Sequence, residues 1–236
     1  MSEAAFTVII PAAGSGSRFG GGVQADKLLE DVAGHTVLQR AVGLFADRGD
    51  VAEIIIVTQP DRFDVYREHL AATVKNTSLL MIGGGRERWE SVLFGLRAAK
   101  ANYQFVAIHD AARPLTPRHV IDEAFAAAIK FGGSVPGLPE PATLKRMGEN
   151  VLVAETVDRR GLYQAQTPQC FHREKLLQAY EALLKQNKLA DVTDDAQVFE
   201  RVGLAVRITA GSALNLKVTR REDVTLAAAL AKETSG

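Results

Sequence analysis

The sequence predicts an α/β protein: one domain on a mostly parallel sheet with helices on both faces, plus a protruding β-hairpin arm. Three observations predict it. Short β-rich apolar runs alternate four times with amphipathic helical segments, the pattern of strand–helix crossovers. The second run, Glu53-Ile54-Ile55-Ile56-Val57-Thr58, is apolar throughout its middle, as a strand covered on both faces is. The alternation then breaks once, between Ser134 and Thr156, where Pro136, Pro139 and Pro141 precede two β-like pieces around Gly148-Glu149-Asn150.

Taken in order, Thr7–Ile10 is a compact apolar run that ends at Pro11, and a Gly-rich loop follows to Gly22. From Thr36 to Asp47 the apolar residues Val37, Leu38, Ala41, Val42, Leu44 and Phe45 fall on one broad helical face. After the strand at 53–58, Asp61–Leu70 reads as a helix and Ser78–Ile82 as a strand running into Gly83-Gly84-Gly85. Arg86–Lys100 is the next helix, and Phe105–His109 is a strand ending at Asp110. Pro117–Phe131 opens with a proline and stops at Gly132-Gly133, both helix boundary signals.

The excursion at 134–156 pairs Ala142–Met147 with Val151–Thr156 across a polar turn. It has too few apolar residues to fold alone. Either it lies across its own domain or a second subunit, or it is an edge hairpin with no functional role. The β/α pattern then resumes, with strands near Leu162–Ala165 and Ala205–Thr209. Helices are predicted over Arg173–Gln186, about Asp194–Arg201 and about Arg220–Lys232. No repeat or low-complexity linker divides the chain, so it reads as a single domain over 1–236 with an arm at about 134–156.

The 28 basic and 28 acidic residues cancel, so no global field draws the chain to nucleic acid or an anionic membrane. No apolar run approaches the ~18 residues of a membrane span, and Met1–Phe6 carries no basic region followed by an apolar run. With Cys170 as the single cysteine, no intrachain disulfide can form. The reading expected is a cytoplasmic protein with small-molecule partners.

In such sheets ligands bind beyond the carboxyl ends of strands, which singles out the loops after Ile10, Ile82 and His109. The first, Pro11-Ala12-Ala13-Gly14-Ser15-Gly16-Ser17-Arg18, is built of small residues, with Lys27 shortly after. Small residues let backbone N–H groups approach phosphate oxygens, and Arg18 and Lys27 would neutralise a triphosphate. The loop lacks G-x-x-x-x-G-K-[ST] spacing. The third glycine of G-x-G-x-x-G would fall at Phe19, and no acidic residue ends a second strand about twenty positions on. A dinucleotide-dependent oxidoreductase is thereby disfavoured. The histidines at 35, 69, 119 and 172 show no zinc-ligand spacing, and His109 reads as structural.

These residues carry a resemblance. Pro11–Arg18 with Lys27 resembles the signature loop of the 2-C-methyl-D-erythritol 4-phosphate cytidylyltransferases. Gly84-Gly85-Arg86-Glu87-Arg88-x-x-Ser91-Val92 and His109-Asp110-Ala111-Ala112-Arg113-Pro114 resemble the second and third motifs. Thr156–Arg159, Gln166–Gln169, Thr193-Asp194 and Asn215–Thr219 follow in family order. The resemblance implies a nucleotidyltransferase-like (Rossmann-like) domain that joins CTP to methylerythritol phosphate in isoprenoid precursor biosynthesis, with Mg²⁺ or another divalent cation bound with CTP. It implies catalytic roles for Arg18, Lys27, Arg159 and Lys217. It implies nucleotide contacts from Pro11, Ala12, Ala13, Gly14, Gly16, Gly84, Gly85, Arg86 and Ser91, and acceptor contacts from Asp110, Arg113, Thr143, Thr167 and Thr193. Asp110 is also a candidate metal ligand. The family further implies an arm-exchanged homodimer with Thr143 and Arg159 delivered across the interface. A ribitol 5-phosphate cytidylyltransferase and an inactive nucleotide-binding regulator are the alternatives. The chain departs from the family pattern in Gly20-Gly21-Gly22 and Asp26 before Lys27, and in Arg220-Arg221 where a proline is more usual.

Overall fold

The computed structural model describes residues 5–14, 19 and 26–233. Two of the expected site residues, Gly16 and Arg18, lie outside the described residues. The chain opens with β1 (Phe6–Pro11), a small ladder of β2 (Asp31–Val32) and β3 (His35–Thr36), then α1 (Val37–Ala46). Thr36 caps α1 by accepting from the Gln39 N–H, and Gln39 returns the bond in a capping box. Next come β4 (Val51–Thr58), α2 (Phe63–Leu70), β5 (Ser78–Gly83), α3 (Arg88–Ala98), β6 (Phe105–Ile108) and α4 (Arg118–Phe131). The second half holds β7 (Gly133–Pro139), β8 (Leu144–Met147), β9 (Val153–Val157), β10 (Tyr163–Ala165) and β11 (Gln169–His172). It ends with α5 (Arg173–Lys185), α6 (Asp195–Arg201), β12 (Arg207–Ala210) and α7 (Arg221–Glu233).

The main sheet runs β10-β7-β11-β6-β1-β4-β5, with β12 paired to β7. β1 is parallel to β4 and β6, β4 to β5, and β12 to β7. β11 and β10 run against this direction. Side chains alternate across the strands, so Val8, Ile10, Ile54 and Ile56 pack with α1, α2, α4 and α7. Ile9, Ile55, Val57 and Ile108 pack with α3, α5 and α6 on the other face. Both faces are covered, as the unbroken apolar run in β4 predicts. No helix among the described residues is long and apolar enough to cross a membrane.

Two expectations are corrected. The arm does not begin at Ser134: β7 runs from Gly133 to Pro139 inside the sheet, and Ser134 is fully buried. Pro136 is tolerated because its carbonyl side, which accepts from Gln166 N–H, faces the gap between β11 and β10. β11 pairs at Gly133–Ser134 and β10 at Gly137–Pro139, so no ladder donor is required from Pro136. The excursion proper is the β8–β9 hairpin, which pairs with nothing else among the described residues. It exposes Met147, Val151, Leu152 and Val153. The second correction is β11, a central strand absent from the sequence reading. It is four residues long with polar Gln169 and His172 at its ends, too short and mixed for a periodic signal. Cys170 lies within it, fully buried, and burial pushes its thiol pKa up.

Candidate active site

The loops after β1, β5 and β6 meet at the carboxyl ends of the strands, joined by the segment after β12. Their packing is mutual. Ala12 N–H donates to Val57 O at 2.7 Å, Thr58 Oγ1 donates to Ala12 O at 3.2 Å, and Gly84 N–H donates to Thr58 O at 2.8 Å. A Cβ on Gly84 would collide with Ala13 Cβ and lie 3.2 Å from Ser91 Oγ. Gly84 and Gly85 thus have a packing reason besides the nucleotide contacts that the resemblance implies: Gly84 lets the β5 loop press on the β1 loop, and Gly85 clears Glu90. Gly84→Ala is expected to cost about 1–3 kcal/mol, seen as a lower Tm. A native Tm in that variant would disprove the close-approach account.

The Gly85–Glu87 loop is shaped by the start of α3. Arg86 and Glu87 donate their N–H groups to Glu90 Oε2 at 2.6 and 3.0 Å. Gly85 N–H donates to Ser91 Oγ at 3.1 Å, and Ser91 is buried. The Ser91 hydroxyl therefore holds the loop and keeps further acceptor capacity. Pro11, Ala12, Ala13 and Gly14 line one side of a cleft whose other side carries Gly85, Arg86 and Ser91. Lys27 and Lys217 both reach this cleft. Lys27 Nζ donates to Val218 O at 3.3 Å, one residue from Lys217. The departure at Asp26 seats Lys27 rather than loosening it: Asp26 accepts from Tyr66 Oη at 2.7 Å and from Leu28 N–H at 3.0 Å. The departure after Lys217 is also accommodated, since Asp223 accepts from Thr219 N–H at 2.7 Å and Arg220 N–H at 2.8 Å at the start of α7.

Asp110, at the end of β6, is the hub. Its Oδ2 accepts from Lys217 Nζ at 2.8 Å and Arg113 Nε at 3.4 Å, and its Oδ1 faces Arg88 Nε at 3.6 Å. Burial by itself would raise the Asp110 pKa. The charges of Arg88, then Lys217 and Arg113, overcome that and hold the carboxyl far below the usual range. Arg113 is itself committed: its Nη1 donates to Asn215 O at 2.6 Å. Asn215, fully buried, fixes the segment that carries Lys217. Its Oδ1 accepts from Thr116 at 2.8 Å, and its Nδ2 donates to Thr167 O at 2.8 Å.

Thr167, expected to contact an acceptor directly, is buried beneath Asp110. Its Oγ1 accepts from Asp110 N–H at 3.1 Å and lies 3.1 Å from His109 Nδ1, while His109 Nε2 lies 3.1 Å from Arg113 O. A carbonyl only accepts, so Nε2 carries the proton and Nδ1 accepts from Thr167. That relay needs a neutral imidazole, and burial lowers the His109 pKa from 6.5 to about 4. The structural role read for His109 is the one seen. An unfolded chain takes up a proton at His109 below about pH 6.5 while the folded chain does not. Stability is therefore expected to fall by about 2 kcal/mol from this site between pH 7 and pH 5. Denaturant unfolding of His109→Gln should show a shallower slope over the same window, and an unchanged slope would remove His109 from the account.

A second recess adjoins the cleft, lined by Arg113, Thr167, Gln169 and Thr193. Arg88, Asp110 and Lys217 line both. The Thr193 hydroxyl and N–H both turn to Gln197 Oε1, at 3.3 and 2.9 Å. Thr143 and Arg159 are not brought to either recess. Both are exposed at the arm, and Arg159 Nη1 donates to Pro141 O. Four residues with roles here were not singled out from sequence: Arg88, Gln169, Asp195 and Asn215. Arg88, Gln169 and Asn215 stand inside the quoted motifs, which is the signal that could have found them. Asp195 gives none, because its burial is a tertiary property.

No group of three or more His, Cys, Asp or Glu side chains that could hold a metal occurs among the described residues. The Asp110 oxygens face three cations, so Asp110 alone offers no cation cage. Among the described residues a divalent cation here would find at most one carboxylate, Asp110, so its remaining ligands would have to come from bound phosphate and water.

The family model for 2-C-methyl-D-erythritol 4-phosphate cytidylyltransferase matches residues 6–233. The chain is 39% identical to the protein of that name from Rhodopirellula baltica, over 98% of this chain and 96% of the relative. It is 34% identical to the one from Clostridium botulinum strain Loch Maree, covering 93% and 94%. Among solved structures, 4-diphosphocytidyl-2C-methyl-D-erythritol synthase from Anaerococcus prevotii aligns with a TM-score of 0.83 at 27% identity, covering 98% of this chain and all of that one. The Thermus thermophilus 2-C-methyl-D-erythritol 4-phosphate cytidylyltransferase aligns at 0.78 and 30%, covering 97% and 99%. With Pro11–Gly14, Gly85–Ser91, Asp110 and the Lys217 segment gathered on one cleft and the family match running from β1 to α7, this chain belongs to the 2-C-methyl-D-erythritol 4-phosphate cytidylyltransferase family.

Proposed function

We propose that this chain transfers the cytidylyl group of CTP to 2-C-methyl-D-erythritol 4-phosphate, acting as a homodimer with a divalent cation bound alongside CTP. The observation that carries this reading is the pair of adjoining recesses sharing Lys217, Asp110 and Arg88. CTP occupies the cleft lined by the β1 and β5 loops, and the acceptor occupies the recess over Thr167 and Thr193. A phosphate oxygen of the acceptor attacks the α-phosphorus of CTP. A new P–O bond forms, the bond from the α-phosphorus to the bridging oxygen breaks, and pyrophosphate leaves. Lys27, Lys217 and Arg18 offset the charge that gathers on the transferring phosphorus and the leaving group. Asp110 accepts from acceptor hydroxyls and keeps Lys217 at the junction. Mg²⁺, when bound with CTP, neutralises triphosphate charge.

The arm supports the dimer reading. Its exposed Met147, Val151, Leu152 and Val153 need cover that no described residue of the same chain gives. In that dimer Thr143 and Arg159 reach the partner's acceptor recess.

Pyrophosphate release tests the reaction, with CTP, UTP, ATP and GTP each offered with methylerythritol phosphate and with ribitol 5-phosphate. CTP with methylerythritol phosphate is expected to be fastest. Chelation of divalent cations is expected to abolish turnover and leave helical circular dichroism unchanged. A purine preference, or equal use of ribitol phosphate, would contradict the assignment.

A further inference from the structure

Arg88 is the first residue of α3, directly after the Gly85–Glu87 loop that walls the nucleotide cleft. Its guanidinium reaches two carboxylates on other elements. Nη2 lies 2.7 Å from Asp195 Oδ2 at the start of α6, and Nε lies 3.6 Å from Asp110 Oδ1 at the end of β6. Asp195 is fully buried and is held in turn by Tyr180 Oη at 2.6 Å. Gln169 Oε1 accepts from the N–H groups of Asp195 and Ala196, which fixes where α6 begins. Arg88 thus has one rigid anchor in Asp195 and one functional neighbour in Asp110. The neighbour in turn grips Lys217 at 2.8 Å. The planar guanidinium hydrogen-bonds Asp195 and at the same time faces Asp110 as an ion pair, an arrangement a single ammonium reproduces poorly.

We infer that Arg88 is a positioning residue for the transfer: anchored on Asp195, it fixes Asp110, and through Asp110 it holds Lys217 where the two recesses meet. This rests on the transfer reaction assigned above. Arg88 ties the nucleotide loop and the acceptor recess to one reference point. A misplacement of about 1 Å in such an arrangement costs on the order of 10²-fold in rate.

The competing account is that Arg88 does no more than neutralise the buried Asp195 charge, since an unpaired buried carboxylate is itself disruptive. Four variants separate the two: Arg88→Gln, Arg88→Lys, Asp195→Asn, and Arg88→Gln combined with Asp195→Asn. Expected for Arg88→Gln is a fall in kcat of about 10²-fold with CTP KM changed much less. Arg88→Lys, which keeps charge but not the fork, should recover part of that. The double variant leaves no orphan carboxylate and should stay as slow as Arg88→Gln. Native kcat in Arg88→Gln, or recovery of kcat in the double variant, would overturn the inference. If Arg88→Gln alone does not fold, Arg88→Lys and the double variant carry the same comparison. A crystal structure of the double variant gives a readout independent of turnover. Displacement of Asp110 and Lys217 supports the inference, and their superposition on the native positions overturns it. A native protein that releases no pyrophosphate would sink the assigned reaction instead, while the variant structure would still decide what Arg88 holds.

Discussion

Lys27→Ala and Lys217→Ala are each expected to lower kcat by about 10²–10³-fold, with smaller changes in CTP affinity. The two amines approach the cleft from unrelated parts of the chain, 190 positions apart in sequence, yet Lys27 donates to the carbonyl of Val218, next to Lys217. That contact offers a simpler role for Lys27, pinning the segment after β12 without touching a phosphate. The two roles differ in what they alter. A pin lost to alanine lowers stability, whereas a cation facing the leaving group acts on charge that develops only during transfer, so the ground-state affinity moves little. Lys217 is bound to Asp110 at 2.8 Å, so its removal also leaves Asp110 with two of its three cations. Asp110 therefore stays ionised, and Lys217→Ala should keep its fold. Steady-state kinetics with thermal unfolding on the same preparations checks both. A Lys27→Ala protein with native kcat and a lowered Tm would reduce Lys27 to the pin.

The second large effect is expected from Arg159, which lies outside both recesses in its own chain. Arg159→Ala alone should be nearly inactive, as should Lys27→Ala alone. If Arg159 serves the partner's site, a heterodimer of the two variants gathers both lesions in one site and leaves the other whole. Random mixing yields about half heterodimers, each with one competent site, so activity should return to roughly a quarter of native. No recovery would place Arg159 in its own subunit's site, and a monomer by sedimentation at assay concentration would remove the dimer altogether. The exposed Met147 and Leu152 supply a companion measurement, because charged substitutions there should shift the dimer toward monomer without entering either recess.

Much of the frame was legible along the chain. The four strand–helix alternations, the Pro117 start and the Gly132 stop are local signals, carried by periodicity and backbone chemistry over a few residues. The apolar middle of β4 announced a sheet covered on both faces. The start of the arm was misplaced because three prolines ordinarily break a strand. Pro136 escapes that rule only where two short neighbours leave a gap in the ladder, and a gap between neighbours has no local sign. β11 was missed for a related reason: a four-residue strand is held by its partners β6 and β7 rather than by its own propensity.

The same division runs through the site. The sequence by itself determined the candidate loops: strand ends, small residues and Lys27 point to the loop after β1, while Asp110, Arg113 and Lys217 stand in motifs marked by the family resemblance. Tertiary structure decided how those groups are divided among tasks. Thr167 and Ser91, read as ligand contacts, hold Asp110 and the Gly85 loop. His109 is locked neutral beneath them. Arg88 and Asp195, 107 positions apart, form a pair that no spacing rule connects. Composition fixes what a side chain can donate, accept or neutralise. Which of those capacities is already used within the protein depends on burial and on partners distant in sequence, and these exist only once the sheet has brought its strand ends together.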